Sequence, residues 1–295
     1  MAISASMVKE LRERTGAGMM DCKKALVEVD GDMDRAIEQL RTSGQAKADK
    51  KAARIAADGR VVVALNGSHA TLLEVNSETD FVAKDENFVA FVDAVAQSAL
   101  AGNFADVDTL SAATLDDGRT IEAARTDLIA KVGEKISVRR FQQIESDDQL
   151  GSYTHGFRIG AIVAMSGGDA DLARDIAMHI TASNPVCVDE SGVPADTLER
   201  ERRIFSEQAA ESGKPPEIVE KMVSGKIAKF LKGVTLLGQP FVKDPDLTVG
   251  KLLQNAGATV TRFVRYELGE GIEKVEENFA DEVMQQIKDS KKNSN

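Results

Sequence analysis

The chain of 295 residues has no tryptophan, two tyrosines, two cysteines and three histidines, and each shortage excludes something. Aromatic residues make up 4% against 42% hydrophobic residues, so aliphatic side chains must fill the core. Cys22 and Cys187 stand far apart and in no Cys-x-x-Cys spacing, which argues against a disulfide framework and a thiolate zinc site. His69, His155 and His179 are equally scattered, so no metal and no cofactor are expected. No apolar run approaches the roughly 18 residues of a membrane span. Met1-Ala2-Ile3-Ser4 leads straight into an amphipathic pattern rather than a signal peptide, so a cytoplasmic protein is expected. Positive charge is also short. A net charge of −11 argues against nucleic acid as the main partner, because phosphate binding needs basic surface.

Catalytic signatures are missing too. Gly233 to Gly238 has the glycine spacing of a phosphate-binding loop, but Gln239-Pro240 stands where Lys-Ser/Thr is needed. Gly16-Ala17-Gly18 lacks the third glycine and the preceding strand of a dinucleotide site. There is no Gly-x-Ser-x-Gly elbow and no His-Glu-x-x-His. No catalytic residues are assigned, and the chain reads as a binding protein rather than an enzyme.

What is present is a change of period along the chain. Ile3, Met7, Val8 and Leu11 fall at helical spacing and stop at Thr15-Gly16-Ala17-Gly18. A second stripe runs from Met19 to Val29, and a third helix, capped by Asp32, carries Met33, Ile37 and Leu40 with Gly44 just beyond its end. Residues 45–58 read as a helical or flexible connector. Residues 1–60 carry 12 Lys/Arg against 10 Asp/Glu, a weakly basic head on a body of −13. That asymmetry could orient a protein partner, or simply be solvated surface.

From Arg60 the period is that of strands. Val61–Val63 and Thr71–Val75 flank Asn66-Gly67, a hairpin signal. A helix with Phe88, Phe91, Val92, Val95 and Ala99 follows, then a helix over 121–132 and a strand from Ile136 to Ile144. A hairpin from Tyr153 to Met165, turning at His155-Gly156, and a helix with Leu172, Ile176 and Ile180 suggest a second copy of the unit. Leu198–Ala210 and Ile218–Leu231 form a helical hairpin inserted into that copy. Strands are expected at Val234–Val242 and Thr259–Leu268, and a charged helix after Gly269-Glu270-Gly271.

Two segments are distinctive: Leu11 to Ala25, containing Thr15-Gly16-Ala17-Gly18-Met19-Met20, and Glu74 to Asp85, containing Thr79-Asp80-Phe81-Val82. Gly238-Gln239-Pro240-Phe241 and Gly269-Glu270-Gly271-Ile272 accompany them in collinear order. In these motifs the chain resembles the elongation factor Ts family, with residues 103–120 matching least. The resemblance implies an α+β fold: an N-terminal three-helix ubiquitin-associated-like module with its connector (1–54), a core N-subdomain (55–148), a related core C-subdomain (149–193 and 232–268), an inserted helical hairpin (194–231) and a C-terminal helical module (269–295).

The resemblance also implies an activity and a set of contacts. The expected activity is guanine-nucleotide exchange on elongation factor Tu, with a dimer or a 2:2 complex compatible with it. Positions matching Thr79, Asp80, Phe81 and Val82 would displace the partner's Mg²⁺, and those matching Leu11, Met19, Met20, Lys23, Lys51, Val132, His155 and Val234 would complete the interface. From the residues alone Phe81 fits either a first-turn core position or an exposed contact, and Met19-Met20 either two gap-fillers or one outward-facing side chain. His155 is expected outside and His179 in the core. The rival reading is a non-exchanging protein-docking module, which would leave Asp80-Phe81 without a role.

Overall fold

The computed structural model describes residues 3–273. The chain opens with α1 (Ala5–Thr15), α2 (Met19–Glu28) and α3 (Met33–Lys51). Ser4 caps α1 by accepting the Met7 N–H, and Gly16, at φ 68°, ends it in the left-handed conformation that glycine takes without penalty. Asp32 caps α3 through the Arg35 N–H. The three helices enclose Val8, Leu11, Cys22, Ala25, Leu26 and Ala36.

The third helix does not stop before Gly44. It runs on to Lys51, and Gly44 is buried inside it. A side chain there would meet the Cβ of Ala130 at 3.6 Å and Thr126 Cγ2 at 3.8 Å, both on α6 (Ile121–Val132). Glycine costs a helix interior about 1 kcal/mol. A Cβ there would make ordinary contact with α6, so the packing of the two helices, not a need for glycine, carries α3 through this position.

The first sheet is antiparallel, in the order β1 (Asp58–Asn66), β2 (His69–Ser77), β3 (Ser137–Glu145). Asn66 pairs with His69, so the hairpin loop is Gly67-Ser68, one residue later than the Asn-Gly signal implies. Gly67 has φ 58°, the positive angle a II′ loop needs at its first position. β2 is central and buried from Ala70 to Ser77. Over one face of the sheet lies α4 (Glu86–Ala101), whose Phe88, Val92, Val95 and Ala99 join Leu73 and Val75 in the largest core cluster. A short α5 (Val107–Ser111) lies in the stretch that resembled the family least.

The second sheet repeats the plan, in the order β4 (Gln149–His155), β5 (Ile159–Ser166), β8 (Thr259–Glu267), with α7 (Ala170–Ser183) packed on it. The expected strand at Val234–Val242 is not part of it. The inserted hairpin, α8 (Ala195–Ala210) and α9 (Pro216–Val234), ends at Val234 as helix. Leu236 and Leu237 then give their N–H groups to Cys187 and Val188. Gly238 lies so close to Lys232 that a Cβ would come within 2.7 Å of its backbone. Only Pro240–Phe241 (β6) reaches a ladder, with Asp244–Thr248 (β7). The helix α10 (Val249–Asn255) that follows had no counterpart in the sequence reading.

The two sheets meet through Val61 and Leu72 on one side and Ile162, Ala164, Val264 and Tyr266 on the other. At Gly160 a Cβ would lie 2.9 Å from Leu72 and 3.0 Å from Val61, so glycine is needed for that approach. The architecture is α+β with an N-terminal helical module. No helix among the described residues is long and apolar enough to cross a membrane. The C-terminal helix expected after Gly271 lies outside the described residues.

Candidate protein-docking site

After β2 the chain leaves the sheet at Glu78, turns through Thr79–Phe81 and enters one 3₁₀ turn, Val82–Lys84, before α4. Thr79 O accepts from Ser77 Oγ at 2.9 Å and from the Ala83 N–H at 3.3 Å, and Phe81 O accepts from the Lys84 N–H at 3.1 Å. Arg60 Nη1 donates to Ala83 O at 3.1 Å. Asp85 takes the Asn87 and Phe88 N–H groups and starts α4. The turn is therefore fastened at both ends, and Phe81 at its crest is 81% exposed. A phenylalanine left in water forgoes about 1.5–3 kcal/mol of burial. The ring is free for another surface to cover.

Beside the ring, Asp80 pairs with Lys84 at 2.6 Å. That hydrogen bond holds the Asp80 carboxyl below the usual aspartate range. Arg12, Gly16, Gly18, Phe81, Lys131 and Val132 line a shared groove of about 440 Å³. It brings the loop between α1 and α2 against the Phe81 turn. Met19 and Met20, which begin α2 just past that loop, are 59% and 74% exposed, so both methionines face outward rather than one. Lys23 is exposed one turn along. Lys51, half-buried at the end of α3, donates to Gly133 O, next to Val132.

Two of the expected contact residues are placed otherwise. Leu11 is wholly buried among the three helices, because it lies on the α1 face that meets Cys22, Ala25 and Leu26. It holds the module together in this structure. Val82 is also buried, packed with Leu73 and Phe88, so only Asp80 and Phe81 of the four-residue motif point out. His155 is exposed at the end of β4, on the other sheet, and half-buried Val234 closes α9, its carbonyl accepting the Val186 N–H at 2.8 Å. Neither lines the Phe81 groove.

Two carboxylates were missed from sequence. Glu134 accepts the Thr79 N–H at 3.0 Å and the Thr79 hydroxyl at 2.6 Å. Glu78 accepts the Lys135 N–H at 2.6 Å and pairs with Arg54 at 3.2 Å. Glu134 has only the signal of a charged residue beside a glycine after a helix, and Glu78 that of an acidic residue after a strand, both far too common to single them out.

A family profile described as Elongation factor TS matches residues 78–270. The protein named Elongation factor Ts in Thioalkalivibrio sulfidiphilus is 64% identical over 98% of this chain and 99% of its own length. The protein of that name in Methylococcus capsulatus is 58% identical over 98% of this chain and 100% of its own. In Legionella pneumophila (strain Paris) the figure is 54%, over 97% and 99%. With relatives aligned from end to end at more than half identity, the chain belongs to the elongation factor Ts family.

Proposed function

We propose that this protein is a guanine-nucleotide exchange factor for elongation factor Tu and that the turn bearing Phe81 is what it inserts into that partner. The observation that carries the reading is the exposed ring on a turn fastened at both ends, in a chain of the elongation factor Ts family. On this reading Asp80 and Phe81 displace the partner's Mg²⁺, while Met19, Met20 and Lys23 seat the three-helix module on its nucleotide-binding domain. Lys51, Val132, His155 and Val234 add outlying contacts. The division into an N-terminal module, two related subdomains, an inserted hairpin and a C-terminal module belongs to the same proposal, as does action in the cytoplasm.

The energetics set what the site must supply. A GTPase that holds GDP at about 1 nM, with association near 10⁷ M⁻¹s⁻¹, releases it at about 10⁻² s⁻¹. Speeding release by about 10³–10⁴ needs about 4–5.5 kcal/mol of preference for the nucleotide-free partner. By reciprocity GDP must weaken the factor's hold by the same ratio. Burying Phe81 provides about 1.5–3 kcal/mol, so the methionines and the outlying contacts must share the task.

Stopped-flow release of labelled GDP from elongation factor Tu is the test. Acceleration at stoichiometric concentrations of the chain is expected. Release at the unassisted rate would refute exchange, and tight binding without acceleration would leave a docking protein.

A further inference from the structure

Glu134 reaches the projecting turn from 55 residues away in sequence. Its two carboxylate oxygens receive both donors of Thr79, the N–H at 3.0 Å and the hydroxyl at 2.6 Å. Charge-assisted bonds of this kind are roughly twice as strong as neutral ones. The same hydroxyl oxygen accepts the Val82 N–H at 3.4 Å, so the bond is relayed across the crest on which Phe81 sits. Glu134 itself is not on a free loop. It follows Gly133, whose φ of 81° ends α6 in the left-handed conformation. On its other side Lys135 is tied to Glu78 through its N–H and to Arg54 O through Nζ. The end of α6 is thus the fixed point, and the Phe81 turn is hung from it.

We infer that Glu134 is a positioning residue for Phe81: by receiving both donors of Thr79 it fixes the angle at which the ring is presented to the partner. The inference rests on the exchange reading and goes beyond it, since Glu134 need not touch elongation factor Tu. A fastened ring enters a partner without first losing conformational freedom, and that preorganisation strengthens binding. Removing the carboxylate lets the crest wander while the core, anchored by Val82 and Ala83, stays closed.

The experiment is GDP release from elongation factor Tu with the full chain carrying Glu134→Ala, Glu134→Gln, Phe81→Ala or Glu134→Ala with Phe81→Ala, each with its melting temperature. Glu134→Ala is expected to lower release at limiting concentrations of factor by about 10-fold, close to the value of one hydrogen bond to a charged group, with the melting temperature nearly unchanged. Glu134→Gln keeps one acceptor and should fall between. The double variant should be no slower than Phe81→Ala alone, because a residue acting through another adds nothing once that other is gone. Thr79→Ser, which keeps the hydroxyl, should lose far less exchange than Thr79→Val, which lacks it; this pair reads the contact even if Glu134→Ala folds poorly. Losses that multiply in the double variant, wild-type exchange by Glu134→Ala, or equal behaviour of the two Thr79 variants would each overturn the inference. A wild-type chain that fails to accelerate release would overturn the exchange reading instead.

Discussion

Phe81 and Val82 are adjacent in the chain and leave the same turn in opposite directions, the ring 81% exposed and the valine enclosed with Leu73 and Phe88. One side chain is available to a partner and the other anchors the turn. Phe81→Ala should therefore cut exchange by about 10-fold or more and leave thermal unfolding nearly unmoved. Val82→Ala should do the reverse, costing about 1–2 kcal/mol of stability through a small cavity. Paired melting curves and exchange rates separate the two, and a large melting shift for Phe81→Ala would mean the ring is part of the fold.

Met20 and Leu11 make a second contrast within the three-helix module. Met20 is mostly exposed and Leu11 is wholly buried. Met19→Ala with Met20→Ala should raise the concentration of chain needed for half-maximal exchange and leave helix content unchanged. Leu11→Ala should cost about 2–5 kcal/mol, a large share of what so small a bundle can hold, and circular dichroism should show the module loosening. Should Leu11→Ala weaken exchange with the module intact, Leu11 would be a contact after all.

These contrasts mark how far the sequence could be read. Helical and strand periods located α1, α2, α4, α6, α7, the inserted hairpin and most strands, since each buries one face and the period records it. What failed was decided by neighbours distant in sequence. Gly44 reads as a helix stop until Thr126 and Ala130 come to lie against it. Val234 to Val242 reads as a strand until Gly238 is pressed onto Lys232 and β8 takes the place beside β5. At the site, family likeness brought Phe81, Met19 and Met20 forward, but nothing in a motif tells an outward Phe81 from an inward Val82. Glu134 was invisible, because its meaning is a contact with Thr79 55 residues away.

Glu74 ties the first sheet to the end of β8. Its carboxylate, wholly buried, receives the Gly269 N–H at 2.8 Å, Arg139 at 2.8 Å, Arg140 at 2.6 Å and Asn76 Nδ2 at 3.1 Å. Burial would raise its pKa, but the Gly269, Arg139, Arg140 and Asn76 bonds together outweigh it and hold the carboxyl below its ordinary value of 4.5. A carboxylate lowered on folding adds stability that is complete above 4.5 and is lost as pH falls from there through the folded value. Denaturant unfolding from pH 6 downward should show that loss, and Glu74→Gln should flatten it. Glu74→Ala should lower stability at neutral pH, because Arg139 and Arg140 lose their buried carboxylate and the Gly269 N–H loses its acceptor, while Arg140 keeps Glu270 at 3.2 Å. An acid limb as steep in Glu74→Gln as in the wild type would place the titration elsewhere.

His179 gives the opposite kind of pH dependence. It is buried on α7, and its Nδ1 accepts the Val242 N–H at 3.2 Å. The ring proton must then sit on Nε2, which lies 3.0 Å from Gln239 Oε1 and donates to it. The Gln239 amide is fixed in turn, its Nε2 donating to Gly233 O at 2.8 Å and Ser183 O at 3.3 Å. A second ring proton has no acceptor at Nδ1. Burial lowers the His179 pKa from its ordinary 6.5, and the Gln239 bond opposes that only in part. Above 6.5 the ring is neutral in both folded and unfolded chain and contributes no pH dependence. Below 6.5 the unfolded chain takes up a proton that the folded chain refuses, so stability falls from there down to the folded value. The imidazole resonances of His179 should titrate below 6.5 in the intact protein. A His179 midpoint above 6.5 would mean that Gln239 and Val242 do not hold the neutral ring, and that this joint between α7 and β6 is built some other way.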